Sequence, residues 1–181
     1  MKELLQTKTV WTIGHSTRSL NEFLDLLQSF QIEAVVDIRS YPGSRRYPHF
    51  NKESLTVSLP KANIKYSHLR ELGGRRKVQP DSINTGWRNA AFRGYADYME
   101  TDAFRNAIIE LEEIASKERT AYMCSEAVWW RCHRSLVSDY LKLQGWTVKH
   151  IMRISIAEEH PYTSPTEIVN GKLLYSKDKM E

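Results

Sequence analysis

The side chains best suited to chemistry lie in one short segment that contains both cysteines. Residues 124–134 read Cys-Ser-Glu-Ala-Val-Trp-Trp-Arg-Cys-His-Arg. A thiol at the end of a strand that faces the start of a helix has a lowered pKa, and its thiolate is the nucleophilic form. We therefore expect Cys124 to be the nucleophile and to be more reactive than Cys132. The same segment supplies two acid/base candidates and one candidate ligand-binding residue: Glu126, His133 and Arg134.

Two other interpretations of this segment are weaker. The first arginine after Cys124 lies one position too far along the chain for a Cys-x-x-x-x-x-Arg phosphate loop. Cys124, Cys132 and His133 lack the paired Cys-x-x-Cys spacing of zinc sites. A metal centre that uses them, completed by His15 or His68, is therefore the less favoured alternative. Cys132 by itself is typical of a small residue packed in a core.

Polar residues also follow the first two predicted strands. His15 comes directly after Gly14, where a strand meets a loop, and is a catalytic candidate. Asp37 lies inside an apolar run, and a buried carboxylate needs a partner because burial raises its pKa. Arg39 is two residues further on and points to the same side of an extended chain. The two residues form either a structural ion pair or a site in which Asp37 is catalytic and Arg39 binds ligand.

Positive charge is concentrated in one segment, which predicts an anionic ligand. Residues 39–93 hold 12 Lys/Arg and 3 Asp/Glu, whereas the rest of the chain holds 14 basic and 19 acidic residues. Arginine suits bidentate phosphate binding, and tyrosine offers a face for a base or sugar. The alternative is a solvated surface loop. The candidate ligand-binding residues of this segment, besides Arg39, are Tyr41, Arg45, Arg46, Arg75 and Arg76.

Familiar nucleotide-binding motifs are missing. Residues 73–77, Gly-Gly-Arg-Arg-Lys, resemble a flexible phosphate clamp but lack the Gly-Lys-Ser/Thr ending of a Walker loop. The chain also has no Gly-x-Gly-x-x-Gly fingerprint. These absences argue against ordinary NTPase and dinucleotide chemistry, and they leave the cofactor unknown.

Hydrophobic patterns predict the elements that position these residues. Residues 9–13 and 34–38 read as strands, and a Ser19-x-x-Glu22 capping box starts a helix between them, which makes a βαβ unit. Further patterns predict strands at 64–68, 120–124 and 147–151, helices at 51–59, 94–99, 101–116 and 128–144, and a hairpin over 168–174. Ligands of open parallel sheets bind beyond the carboxyl ends of the strands, so the candidate residues should meet at one rim.

This pattern predicts a single α/β domain over residues 1–181, with a mostly parallel sheet and helices on both faces. Its core spans about 9–151, and a C-terminal extension with a small hairpin spans 152–181. The chain has 181 residues, of which 41% are apolar and 27% charged, and this argues against disorder, collagen and coiled coil. No apolar run reaches the ~18 residues of a membrane span. Two cysteines and a polar N-terminus further indicate a cytoplasmic protein that does not contact membranes.

Taken together, these motifs resemble the domain-of-unknown-function 488 family. The resemblance rests on Thr-Ile-Gly-His-Ser at 12–16, Val-Asp-Ile-Arg at 36–39, and Cys-x-Glu followed by Cys-His-Arg at 124–134. It covers roughly residues 10–151. The resemblance implies an α/β fold and one shared site, and it supplies no reaction.

The leading hypothesis is an enzyme-like protein that acts on a phosphate-bearing ligand. The ligand would be a nucleotide or a nucleic-acid end, bound at the carboxyl ends of the strands, and the reaction a hydrolysis or transfer. One rival is a nucleic-acid-binding module without catalysis that uses residues 45–93 as its surface. A second rival is a metal-binding protein that uses Cys124, Cys132 and a histidine. The oligomeric state stays open.

Overall fold

A six-stranded sheet forms the centre of the molecule. The computed structural model describes residues 8–177. The strands are β1 (Thr9–Gly14), β2 (Ala34–Asp37), β3 (Lys65–His68), β4 (Thr120–Cys124), β5 (Thr147–Arg153) and β6 (Ile156–Glu159). They are ordered β3-β2-β4-β1-β5-β6; the first five are parallel, and β6 runs antiparallel to β5.

Five helices cover both faces of this sheet. They are α1 (Leu20–Ser29), α2 (Lys52–Lys61), α3 (Ala90–Tyr98), α4 (Asp102–Lys117) and α5 (Arg134–Leu143). One core cluster joins α1 and α2 to the sheet through residues such as Phe23 and Leu55. The other joins α3, α4 and α5 through residues such as Tyr95, Phe104 and Leu136. The predicted class, an α/β fold with a mostly parallel sheet and helices on both faces, is confirmed.

A small antiparallel hairpin follows the sheet. It consists of β7 (Thr166–Val169) and β8 (Lys172–Tyr175). Asn170 and Gly171 form the turn, both with positive φ, as a type I′ turn requires. The predicted C-terminal hairpin is therefore confirmed. Among residues 8–177, no helix is both long and apolar enough to cross a membrane.

The start of α5 differs from the prediction, and this changes the site. The apolar residues after β4 predict a helix from Val128, but the chain forms a single 3₁₀ turn over 129–131 and α5 begins at Arg134. Trp129 is not part of a helical stripe, because it stacks on His150 with ring centroids 4.4 Å apart. Cys132 is extended, with φ −129° and ψ 147°. The cysteine that lies just before the helix is therefore Cys132 and not Cys124.

Candidate functional site

The carboxyl ends of three neighbouring strands surround one cavity. In the sheet register Gly14 of β1 lies beside Cys124 of β4, and Asp37 of β2 lies beside Met123. A cavity of about 740 Å³ opens there, within the range of small-molecule sites. Its walls come from 15–17, 39–44, 74–75, 89–92 and the segment 124–133.

The cavity brings together some of the predicted site residues. Its lining includes His15, Arg39, Tyr41, Arg75, Cys124, Glu126 and His133. Outside the lining lie Asp37, Arg45, Arg46, Arg76 and Arg134. The ligand-binding and catalytic roles given to these residues stay predictions, but their positions now separate the residues a ligand in the cavity can touch from those it cannot.

Asp37 and Arg39 form the structural pair that was one of their two interpretations. The Arg39 Nε and Nη2 groups donate to the two Asp37 oxygens at 2.8 and 2.6 Å. The Tyr66 hydroxyl also donates to Asp37, at 2.7 Å, and Arg39 Nη2 donates to the Phe50 carbonyl at 2.8 Å. Asp37 is fully buried. Its oxygens are therefore occupied by donors within the protein, which leaves it little capacity to take a proton from a ligand.

His15 is held as a neutral ring by this pair. Its Nδ1 donates to the Ser16 carbonyl at 2.9 Å, so its Nε2 carries the lone pair and accepts from Arg39 Nη1 at 3.1 Å. The ring stacks on Phe50 with centroids 4.3 Å apart. Burial lowers the pKa of His15 to about 4. Because Arg39 already uses its lone pair, His15 acts as a link between β1 and β2 at the cavity wall.

The basic loop residues have three different surroundings. Arg76 lies over the Tyr98 ring at 3.7 Å and donates to the Gly73 carbonyl at 3.1 Å, so it holds its loop to α3. Arg45 and Arg46 are exposed and are not among the residues that line the cavity. Arg75, in contrast, is exposed at the cavity rim, and its side chain has no bonded partner within the part of the chain that the structure describes.

The two cysteines and His133 form a compact cluster at the floor of the cavity. Their two Sγ atoms and one His133 ring nitrogen all lie within 4.8 Å of one another. His133 Nε2 donates to the Ile38 carbonyl at 3.0 Å, so its Nδ1 carries the lone pair. That Nδ1 lies 3.6 Å from Cys132 Sγ. His133 is thus in the tautomer that can accept a proton from the Cys132 thiol.

The surroundings of the two thiols differ from those that the sequence predicts, and the prediction that Cys124 is the more reactive thiol stays a prediction. The hydrogen bond between the two cysteines and burial raise the pKa of Cys124 well above its usual value. Burial also opposes ionisation of Cys132, but the bond from Cys124 and the charge and backbone N–H of Arg134 lower its pKa. The Arg134 N–H donates to Cys132 Sγ at 3.4 Å. The physical reason is the late start of α5, which gives the helix N-terminus to Cys132.

Arg134 is a buried cation without a carboxylate partner among residues 8–177. It is 2% exposed, and its Nε and Nη1 have no hydrogen-bond partner there. Its Nη2 donates to the Glu126 carbonyl at 3.3 Å. A buried charge is stable only when it is compensated. An anion that fits this requirement is a thiolate of the cysteine pair, because the Arg134 charge acts to lower the pKa of both Cys124 and Cys132.

Arg134 also weighs against a metal in the cluster. Among the described residues, Cys124, Cys132 and His133 are a group with the spacing to hold an ion. The two positive charges of a divalent ion would be balanced by two thiolates. No negative charge of the cluster would then remain to compensate the Arg134 guanidinium. One thiolate and the Arg134 guanidinium together carry no net charge, so the arrangement favours a single ionised cysteine.

Several cavity residues were not among the sequence candidates. They are Arg131, Ser16, Thr17, Ser44, Tyr47, Asn89 and Phe92. Arg131 had a signal, because it lies in the same segment as both cysteines. Phe92 lies in the first turn of α3, and the others belong to loops whose backbone path the sequence pattern does not predict. Gly14 shows how tight the packing is, since a Cβ there would lie 1.7 Å from the Glu126 carbonyl oxygen.

Comparison with known proteins identifies the family. Residues 19–141 match the family described as domain of unknown function DUF488. No curated protein and no solved structure matches the chain. The matched segment runs from the N-cap of α1 into α5, and it includes Arg39, both cysteines and His133. Since the match covers more than half of the sequence, the chain belongs to the DUF488 family.

Proposed function

We propose that this protein is a thiol-dependent hydrolase or transferase that acts on a phosphate-bearing small molecule of nucleotide size. The observation that carries the proposal is the position of Cys132 Sγ. It lies at the floor of the cavity, 3.6 Å from the His133 lone pair and 3.4 Å from the first backbone N–H of α5. A nucleophile beside a base that is itself oriented by a third group is the pattern of covalent catalysis, and here the Ile38 carbonyl is that third group.

The charge of the cavity supports an anionic ligand. Its lining carries Arg39, Arg75 and Arg131 against the single carboxylate of Glu126. The side chains of Arg75 and Arg131 have no bonded partner within residues 8–177 and are exposed. Arginine forks bind phosphate in a bidentate way. The cavity is also large enough for a nucleotide, with the exposed Tyr41 ring at its edge as a surface for a base or sugar.

The chemistry follows from the cluster. Cys132 Sγ attacks the electrophilic atom of the ligand as the proton of its thiol passes to His133 Nδ1. The same nitrogen then returns the proton to the leaving group. Arg134 stabilises the thiolate before attack, and the exposed Glu126 carboxylate at the rim is placed to activate water for release of the covalent intermediate.

Ligand binding is tested by calorimetry with inorganic phosphate and a panel of nucleoside monophosphates. The Arg75→Ala/Arg131→Ala double variant should lose affinity by at least tenfold, because each charged contact contributes roughly 1.5–3 kcal/mol. The matched control, Arg45→Ala/Arg46→Ala, removes two exposed arginines outside the cavity and should bind like the wild type. Equal losses in the two double variants would contradict binding in this cavity.

The same experiment separates the enzyme from a nucleic-acid-binding module. A module that binds nucleic acid through many phosphates loses affinity linearly in log salt with a steep slope. It would also prefer oligonucleotides to mononucleotides, and the control variant would be impaired. Turnover of any bound ligand should disappear in Cys132→Ser and persist in Cys124→Ser.

A further inference from the structure

The two thiols at the cavity floor are close enough to react with each other. Both cysteines are reduced, and their sulfur atoms lie within 4.8 Å. A disulfide needs an S–S distance of about 2.05 Å. Both residues line the cavity, so the cavity is the route by which a small oxidant would approach them.

The chain between them can accommodate the approach. Residues 125–127 and 130–131 are exposed, and the segment contains a single 3₁₀ turn instead of a helix. Cys124 is fixed because it is the last residue of the central strand β4. The movement therefore falls on Cys132, which is in an extended conformation outside both the 3₁₀ turn and α5.

The environments of the two sulfurs differ in the way that an attacking and a resolving cysteine require. Cys132 Sγ accepts the Arg134 backbone N–H at 3.4 Å and lies 3.6 Å from His133 Nδ1. Cys124 lies within reach of Cys132 at the end of β4, and no α-helix begins directly after it. Cys132 is thus the sulfur better placed to form a thiolate, and Cys124 is the neighbour placed to resolve its oxidation product.

We propose that Cys132 and Cys124 are a peroxide-responsive pair, in which oxidation of Cys132 is resolved as a disulfide with Cys124. The Cys132 thiolate attacks one oxygen of hydrogen peroxide, the O–O bond breaks, and sulfenic acid and hydroxide form. The Cys124 sulfur then attacks the sulfenic sulfur; the S–O bond breaks, and the hydroxyl leaves as water with the Cys124 proton. Two electrons pass from the pair to peroxide, and a small thiol reductant reverses the reaction.

The disulfide would switch the proposed enzyme off. This inference rests on the proposed function in that it uses the same Cys132 thiolate. Oxidation removes the nucleophile from the cavity floor, and it also takes away the anion beside Arg134. Because that cation has no carboxylate partner among the described residues, the segment 125–131 should rearrange on oxidation.

The test treats the reduced full-length protein with hydrogen peroxide and no ligand, followed by mass spectrometry. The wild type should lose two hydrogen atoms and yield a peptide that joins residues 124 and 132. The chain has only these two cysteines, so an intramolecular disulfide has one assignment. Treatment with a thiol reductant should restore both thiols.

Variants assign the two roles. Cys124→Ser cannot resolve the intermediate, so it should give a stable dimedone adduct at Cys132. Cys132→Ser should leave Cys124 largely unmodified at the same peroxide concentration. The inference is overturned if the wild type accumulates sulfenic or sulfinic acid without a disulfide, or if Cys124 is oxidised as fast in Cys132→Ser as Cys132 is in Cys124→Ser. The wild-type result stands even if a variant fails to fold.

The outcome also distinguishes this inference from the proposed function. If the disulfide forms but Cys132→Ser retains turnover, the proposed function fails and the redox pair remains. If turnover requires Cys132 but peroxide yields no disulfide, the redox pair alone is excluded.

Discussion

Single residues around the cavity divide into those that hold the structure and those left for chemistry. The Arg39 guanidinium is used by Asp37, the Phe50 carbonyl and His15. Arg75 and Arg131 instead present side chains without bonded partners to the cavity. The same residue type therefore has two roles at one site, and only the positions of its partners tell them apart.

Replacement of Arg39 should destabilise the fold. Arg39→Ala leaves the buried Asp37 carboxylate without its cation, and breaking a buried pair in this way costs roughly 3–5 kcal/mol. Urea unfolding measures the change. Arg45→Ala is the matched control, because an exposed arginine without such contacts changes stability by about 0.5 kcal/mol or less. Similar unfolding midpoints for the two variants would refute a structural role for Arg39.

Replacement of Arg134 should leave the stability of the fold nearly unchanged and lower the reactivity of Cys132. Arg134→Met removes a buried guanidinium with two unpartnered nitrogens, and Cys132 can then take up a proton. A well-packed apolar substitute for an imperfectly paired buried charge is often neutral or stabilising. We expect a stability change of about 1 kcal/mol or less and Cys132 alkylation at pH 7 slowed on the order of tenfold.

The control for this variant is Arg45→Met, which should alter neither measurement. If Arg134→Met alkylates at the wild-type rate, the guanidinium does not stabilise the Cys132 thiolate.

At the scale of elements, the strand ends and the start of α5 set the geometry of the site. The sequence predicts β4 within its observed bounds, because an apolar run ends at a polar segment, and the capping box places the start of α1. It does not predict β6, whose residues are mostly exposed and lack an apolar alternation. It also misplaces the start of α5, since Trp129 packs on His150 instead of joining a helical stripe.

The same limits apply to the site. The sequence predicts that polar residues meet at one edge of the sheet, and the cavity lies there. Which thiol lies at the helix N-terminus depends on the bounds of α5, which hydrophobic spacing does not fix. Which arginines face the cavity depends on loop conformation, such as the positive φ of Arg75.

The contact between β1 and the segment after β4 should depend on Gly14. A Cβ at this position would lie 1.7 Å from the Glu126 carbonyl oxygen, so Gly14→Ala forces the backbone of the segment to move. We expect Gly14→Ala to lower the unfolding midpoint and to slow Cys132 alkylation, since Arg134 is bonded to that carbonyl. Gly43→Ala is the control, with no atom within 4 Å of its added Cβ. Equal midpoints for the two variants would show that the close approach is absent in solution.

At the scale of the whole molecule, a buried chain of hydrogen bonds ties the sheet to the C-terminal hairpin. Thr12 bonds to His150 at 2.6 Å, His150 to His160 at 2.9 Å, and His160 to Asp139 at 2.8 Å. The Tyr175 hydroxyl of β8 also donates to Asp139, at 3.0 Å. These residues are far apart in sequence, which is why no local pattern predicts the chain.

Acid should destabilise the protein through its buried neutral histidines. Burial lowers the pKa of His15 from 6.5 to about 4 and that of His150 from 6.5 to about 2. Below pH 6.5 these histidines bind protons in the unfolded state but stay neutral in the folded state. The free energy of unfolding therefore falls as the pH decreases. Each of these histidines contributes about 1.4 kcal/mol per pH unit near pH 5, where it is protonated in the unfolded state and neutral in the folded state.

Urea unfolding at pH 7.5, 6 and 5 measures this dependence. In His150→Gln the free energy of unfolding should fall less steeply as the pH decreases. The slope should be smaller by the contribution of about one proton, because one of these two histidines has been removed. A free energy of unfolding that stays constant from pH 7.5 to 5 would mean that these rings are not buried and neutral in solution.

The central claim is that Cys132 is the reactive thiol of a cavity that binds phosphate-bearing ligands. The most direct measurement is the rate of alkylation at each cysteine near pH 7, resolved by peptide mass spectrometry, with and without a nucleoside monophosphate. We expect Cys132 to be labelled well before Cys124 and the nucleotide to slow its labelling. Faster labelling of Cys124, or a Cys132 rate that no phosphate-bearing ligand changes, would contradict the claim.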